Sequence, residues 1–342
     1  MAVPERVLGA EEYCAMVESL GGGSHREGRF VRAAVRGSGV RSRHSALAKD
    51  AQGLDFYTAP RAAGCPPGTA ARMEVYACEA PALAEAAARD LAAREGLDFG
   101  TVTHLVTVSC TGFMAPGLDY ALVSRLELGR GTKRLHLGFM GCHGALNGMA
   151  AARAICAGDT SAVVLVVMVE LCTLHYQQGA GRDELLPNAL FADGAAAFCL
   201  RTASGGGWHV ESTATHLVPD TASLMTWNIT DTGFRMTLDP SVPSVVARSL
   251  PPLAAEWGWH DPVNDAWAIH PGGPRILDAA VEALGLAAAQ VEASRSVLRG
   301  FGNMSSATTM FVVRELLDAP QEKMRLLAFG PGLTVEAATL AR

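Results

Sequence analysis

The chain has 342 residues, 49% of them hydrophobic and 18% charged, with a formal net charge of −6. This length and apolar content describe a globular protein able to bury a large core, either one big α/β unit or two smaller domains. The positive residues are scattered except between Arg29 and Arg43, which argues against nucleic acid as a partner and leaves room for a small anionic ligand.

In chain order, HLVTVSC (104–110) reads as a strand, PGLDYALVSRLEL (116–128) as a helix and RLHLGF (134–139) as a strand. GALNGMAAARAI (144–155) then reads as a helix and SAVVLVVMVEL (161–171) as a strand buried on both faces. Such a βαβαβ series implies a mainly parallel sheet with helices on its faces. The series recurs in DAWAIH, PGGPRILDAAVEALGL, SVLRGF, SSATTMFVVRELL and MRLLAFG, expected as strand, helix, strand, helix, strand. The two copies share local texture, with HLGFMGCHGA facing LRGFGNMSSA, so the chain reads as an internal duplication. The linker-like RTASGGG (201–207) places the boundary between halves 1–205 and 206–342.

Related halves bring equivalent strand-to-helix turns together at their interface, beyond the carboxyl ends of the strands, where α/β sheets hold ligands. The first copy supplies Cys110 and Cys142 at these turns, the second His270 and Asn303. Cys142 follows GFMG and precedes a helix of small residues, so its thiolate gains from helix N-terminal N–H groups, as at a nucleophile elbow. His143 is adjacent, but successive helical side chains diverge by roughly 100°, which leaves it packing or a backbone hydrogen bond. His270 ends AWAIH and projects toward Cys142 as ion-pair partner and general acid/base. Asn303 is either an N-cap or a donor to a developing oxyanion. Cys172 and His175 in VELCTLHYQ look like pocket lining and are a weak zinc signal; no metal site is expected.

The longest apolar run meets Glu170 too soon to cross a bilayer and no charged-then-apolar leader opens the chain, so a soluble, cytoplasmic protein is expected, with no membrane partner. The cysteines at 14, 65, 78, 110, 142, 156, 172 and 199 follow no regular framework and are expected as free, mostly buried thiols.

Cys142, His270 and Asn303 stand in chain order among GALNGMAAARA, VELCTLHYQ, LFADGAAAF, IHPGGPRILD, GNMSSATTMFV and FGPGLTVE. With these motifs the chain resembles the chalcone and stilbene synthase family, the type III polyketide synthases, from about Phe30 to the C-terminus. The resemblance implies a thiolase fold of five αβαβα layers in a homodimer, with an acyl-CoA starter and malonyl-CoA as substrates. It implies no acyl carrier protein, and no cofactor beyond the CoA thioesters. It makes Cys142 the acyl carrier and His270 with Asn303 the stabilisers of the enolate from malonyl-CoA, with products of the α-pyrone, resorcinol, phloroglucinol or naphthalene type.

It also marks Phe191 and Phe234 as gatekeepers between CoA tunnel and cavity, Ser305 as pocket lining, and Arg29, Arg32 and Arg36 as CoA-phosphate contacts. Cys110, Cys172 and His175 stand where plant members often have threonine, and Ala115 where they have a methionine reaching into the partner subunit. Those departures leave starter, extension number and cyclisation open. The chain start resembles the region just after the family's first strand. Two alternatives share the fold: a β-ketoacyl synthase performing one condensation on a carrier protein, and a non-catalytic partner subunit. HPGGP and GNMSSA argue against the first, and the joint presence of Cys142, His270 and Asn303 against the second.

Overall fold

The structure is a computed structural model that describes residues 1–20, 25–47, 49–50, 53–54, 56–57, 66–177, 182–202, 206–260 and 262–342. Part of the linker-like stretch, residues 203–205, lies outside the described residues.

Two four-stranded sheets organise it. The N-terminal sheet runs Lys133–Gly138, His104–Ser109, Val163–Leu171, Asp193–Arg201, with the first three strands parallel and the last antiparallel. The C-terminal sheet runs Ala266–Ile269, Lys323–Gly330, Thr334–Ala341, His209–Leu217, the first pair parallel and the rest antiparallel. Strand side chains alternate between faces, and here each face finds its own core. Val106, Val108, Val164, Val166 and Met168 point to a central core shared with Ala266, Ala268, Leu326 and Ala338 of the other sheet. Their neighbours Leu105, Leu165, Val167 and Val169 point outward, and so, from the second sheet, do Trp267, Ile269, Leu327 and Val335.

Helices fill the three remaining layers. Gly144–Gly158 and Thr308–Leu316 lie between the sheets and contribute Leu146, Met149, Met310 and Val312 to the central core. The 27-residue helix Thr69–Glu95 and the shorter Leu118–Arg125 cover the first sheet's outer face. Val242–Glu256 and Pro274–Leu284 cover the second's. This is the expected five-layered αβαβα arrangement.

One expected strand is a helix. SVLRGF lies inside the helix Glu292–Phe301, because Ser294, Val297 and Leu298 recur at the spacing of one buried helical face while Arg295 and Arg299 pair with Asp278 and Glu292. A short apolar run does not by itself separate strand from helix. The duplication is therefore incomplete: where the first half has the strand Lys133–Gly138, the second shows, among the described residues, an isolated bridge between Phe191 and Asn303. The converse occurs at the other edge. His209–Leu217 borders the C-terminal sheet, whereas the equivalent edge of the N-terminal sheet carries the single bridge Ala2–Ala195.

Among the described residues no helix is long and apolar enough to cross a membrane. Of the cysteines, Cys110, Cys142, Cys156 and Cys172 are buried, Cys14 and Cys199 half-buried and Cys78 exposed, all as free thiols; Cys65 lies outside the described residues.

Candidate active site

The turn that presents Cys142 uses two left-handed residues, Phe139 at φ 57° and Gly141 at φ 80°. A short 3-10 turn, Gly141–His143, then leads into the helix Gly144–Gly158. Gly144 permits this close approach, since a Cβ there would sit 2.7 Å from Val108. Cys142 ends 7% exposed. Burial pushes its thiol up to about 12, against hydrogen bonds from Ser305 and Asn303 that favour the thiolate.

Asn303 reaches the sulfur from the other half of the chain. Its Oδ1 accepts the Ser305 N–H at 2.8 Å and the Thr308 hydroxyl at 3.4 Å. That fixes the amide orientation and leaves Nδ2 facing Cys142 Sγ at 3.9 Å. Asn303 thus holds the first N–H of the turn Ser305–Ala307, whose N-cap position is Met304, while its amide lies against Cys142. Its backbone is bracketed by the first half, with its N–H donating to Leu190 O and its carbonyl accepting from Ala192 N, both at 2.9 Å.

His270 follows the strand Ala266–Ile269 and is 1% exposed. Its Nδ1 lies 3.4 Å from the Thr309 hydroxyl, and its buried Nε2 has no hydrogen-bond partner. Among the described residues no hydrogen bond joins it to Cys142. Burial, assisted by the neighbouring His143, pushes the imidazole down to about 3. Burial thus opposes charge on both side chains, raising the Cys142 thiol and lowering the His270 imidazole.

His143 is 2% exposed, and its Nδ1 lies 2.6 Å from Asn147 Oδ1, one helical turn on. Packing or a backbone hydrogen bond was expected; the ring is packed and has a backbone bond, and it adds this side-chain one. Asn147 in turn hydrogen-bonds Glu336 of the second half, whose carboxyl also accepts from Thr215 at 2.8 Å. A Cβ on Gly330 would stand 2.2 Å from the His143 ring, so glycine is what lets the two halves close over it.

The cavity in front of Cys142 is mostly apolar. Cys110, Cys172, His175, Phe191, Phe234 and Ser305 all line it. Ala115 does not. It lies on the exposed loop before the helix Leu118–Arg125, on the molecular surface with Phe113 and Tyr120, and is no wall of this chain's cavity. His175 does more than line: its Nε2 donates to Thr111 O at 2.6 Å, its Nδ1 accepts the Phe234 N–H at 2.9 Å, and its ring stacks on Phe234 at 4.2 Å. Those partners require the neutral ring, and burial pushes it down to about 3. No group of residues fit to hold a metal ion occurs among the described residues, so Cys172 and His175 have no companion ligands there.

Arg29, Arg32 and Arg36 share the exposed side of the helix His25–Gly37. Arg32 pairs with Glu18 at 2.6 Å, and Arg36 borders a separate cleft with Arg41, Arg295 and Arg299.

Sequence reasoning missed Glu170. It is fully buried, and its carboxylate accepts from Cys110 N at 3.0 Å, Thr111 Oγ1 at 2.8 Å and Ser306 Oγ at 2.5 Å. Burial pushes the carboxyl up to about 7 against these bonds. The signal was present as the acid that ends an apolar strand, but its partners are remote in sequence.

Comparison with known proteins follows this geometry. The chalcone and stilbene synthase N-terminal domain model matches residues 2–203 and the C-terminal domain model residues 209–342. A 1,3,6,8-tetrahydroxynaphthalene synthase of Streptomyces griseus is 32% identical over 99% of this chain and 90% of its own length. An alpha-pyrone synthesis polyketide synthase-like Pks18 of Mycobacterium tuberculosis is 31% identical over 68% of this chain and 63% of its own length. Among solved structures, PKS-I of the brown alga Ectocarpus siliculosus superposes with a TM-score of 0.91 at 26% identity, covering 100% of this chain and 96% of that one. With both domains matched in order across a thiolase fold, the chain belongs to the chalcone and stilbene synthase family, the type III polyketide synthases.

Proposed function

We propose that the chain builds a polyketide on Cys142 from an acyl-CoA starter and malonyl-CoA, with no acyl carrier protein and no cofactor besides these thioesters. The observation that carries the mechanism is the Asn303 amide, locked with Nδ2 toward Cys142 Sγ. In loading, His270 Nε2 takes and keeps the Cys142 proton as sulfur attacks the starter thioester, and the departing CoA thiolate is protonated by solvent water. In extension, the bond to the malonyl carboxylate breaks, carbon dioxide departs and the electron pair becomes a thioester enolate. Asn303 Nδ2 and His270 Nε2 donate to its oxygen; the buried, partnerless Nε2 suits that task. The enolate carbon then attacks the Cys142 thioester, releasing the sulfur, and the extended chain reloads. An apolar cavity favours condensation over hydrolysis.

The named relatives support a naphthalene or pyrone type of product. Phe191 and Phe234 act as gatekeepers, and the exposed face of Arg29, Arg32 and Arg36 receives CoA phosphates. We place the halves at 1–205 and 206–342, the assembly as a homodimer, and the enzyme in the cytoplasm, where free thiols persist.

Labelled malonyl-CoA offered with a panel of acyl-CoA starters tests this directly. Labelled product is expected with at least one starter, and Cys142→Ala should abolish starter loading seen by intact mass. No product with any starter from well-folded enzyme overturns the proposal, and extension only with carrier-bound malonate assigns a single-condensation synthase instead.

A further inference from the structure

Arg43, on the short strand Ser42–His44, is fully buried and has no part in the chemistry above. Its guanidinium meets the C-terminal end of the helix Arg182–Leu190. Nη1 donates to Asn188 O at 3.3 Å and Phe191 O at 2.9 Å, and Nη2 to Ala189 O at 2.7 Å. The guanidinium lies 3.7 Å over the Tyr13 ring, and the Tyr13 hydroxyl donates to Asn188 O as well. The Asn188 side chain is tied down in turn, donating to Gln177 O at 3.1 Å. Carbonyls at a helix C-terminus carry partial negative charge, and a rigid planar fork of donors serves several at once where an ammonium cannot. Burying a cation is costly, so a fully buried arginine devoted to one loop marks a loop whose position matters.

That loop holds the site. Phe191 belongs to it, and Asn303 hangs from it through the Leu190 and Ala192 backbone bonds. The second half has no strand of its own to place Asn303, because the segment before it is helical. We propose that Arg43 is the positioning residue for Asn303 and Phe191, setting through residues 188–192 where the amide donor and the gatekeeper stand relative to Cys142. The inference rests on the reading of Asn303 as an enolate donor. Displacing such a donor by about an ångström weakens enolate stabilisation while the thiol and His270 still load a starter.

The test separates loading from decarboxylation in full-length Arg43→Lys, Arg43→Met and Tyr13→Phe enzymes. Starter loading is read as the stoichiometry of acyl-Cys142 by intact mass, and decarboxylation as carbon dioxide released from malonyl-CoA. Both Arg43 variants are expected to load as wild type and to lose at least tenfold in decarboxylation kcat, with KM for malonyl-CoA little changed. Lysine does not rescue, and Tyr13→Phe, which deletes one bond of the clamp, falls between. A folded Arg43→Met enzyme with wild-type decarboxylation overturns the proposal. So does equal loss of loading and decarboxylation, the sign of a general structural role. If the Arg43 variants fail to fold, Tyr13→Phe decides, and a wild-type ratio of decarboxylation to loading in it overturns the proposal. A wild-type enzyme that condenses nothing sinks the functional reading instead.

Discussion

Glu170 shows how a single buried charge tunes this site. Burial pushes its carboxyl up to about 7, and its negative charge is felt by three cavity thiols. After burial, that charge is what further holds the Cys142 thiol protonated, and it does the same for Cys110 and Cys172. Removing it favours the thiolate. In Glu170→Gln, alkylation of Cys142 by iodoacetamide at pH 8 is expected to be several-fold faster, with exposed Cys78 as internal reference; an unchanged rate means the charge does not reach the sulfur. The place of Cys142 was legible in the sequence because a glycine-rich strand-to-helix turn announces itself locally, and that of Asn303 because its GFGNMSSA segment resembles that turn, although a helix precedes it. The His143–Asn147–Glu336 connection was not, since its last link joins residues almost 200 positions apart, each ordinary in its own segment. His143, expected to pack or to bond the backbone, does so and also reaches Asn147.

At the scale of the element, the strand Lys133–Gly138 lies at a sheet edge with most of its residues exposed. Leu135 is 42% exposed, and the exposed set also holds Tyr120 and Phe113. An unpaired edge beside apolar side chains is a template for another chain, and a second copy is the occupant we propose. Leu135→Arg is expected to move the sedimentation coefficient from dimer to monomer; a persisting dimer would place the interface elsewhere. Helices and strands with clean periodicity were legible to within a few residues, as Gly144–Gly158 and Val163–Leu171 show. The helix Thr69–Glu95 escaped notice because it is rich in alanine, carries Pro81 in its interior and so lacks a sharp apolar stripe. SVLRGF deceived through its likeness to LHLGF, a resemblance of composition that the helical spacing of its neighbours overrides.

At the scale of the whole molecule, the duplication was legible because most elements recur in the same order in both halves, the helix Glu292–Phe301 standing where the first half has the strand Lys133–Gly138, and the cavity lies where their turns meet. The unequal edges were legible in part, through the chain start that resembles the region just after the family's first strand. They have a consequence in time. In the C-terminal sheet, His209–Leu217 covers the outer edge of Thr334–Ala341 along its length, while in the N-terminal sheet the strand Asp193–Arg201 meets Ala2 at Ala195 alone. Amides that share the outward orientation of Ala195, those of Ala197 and Cys199, therefore face no partner strand among the described residues. Their hydrogens are expected to exchange with deuterium orders of magnitude sooner than those of Thr334–Ala341, although both strands sit in equally apolar layers. Equal protection would show that the edge is covered in the assembled enzyme. Two sheets alike in pattern thus keep different clocks, one opening only with the molecule and the other continually from its rim.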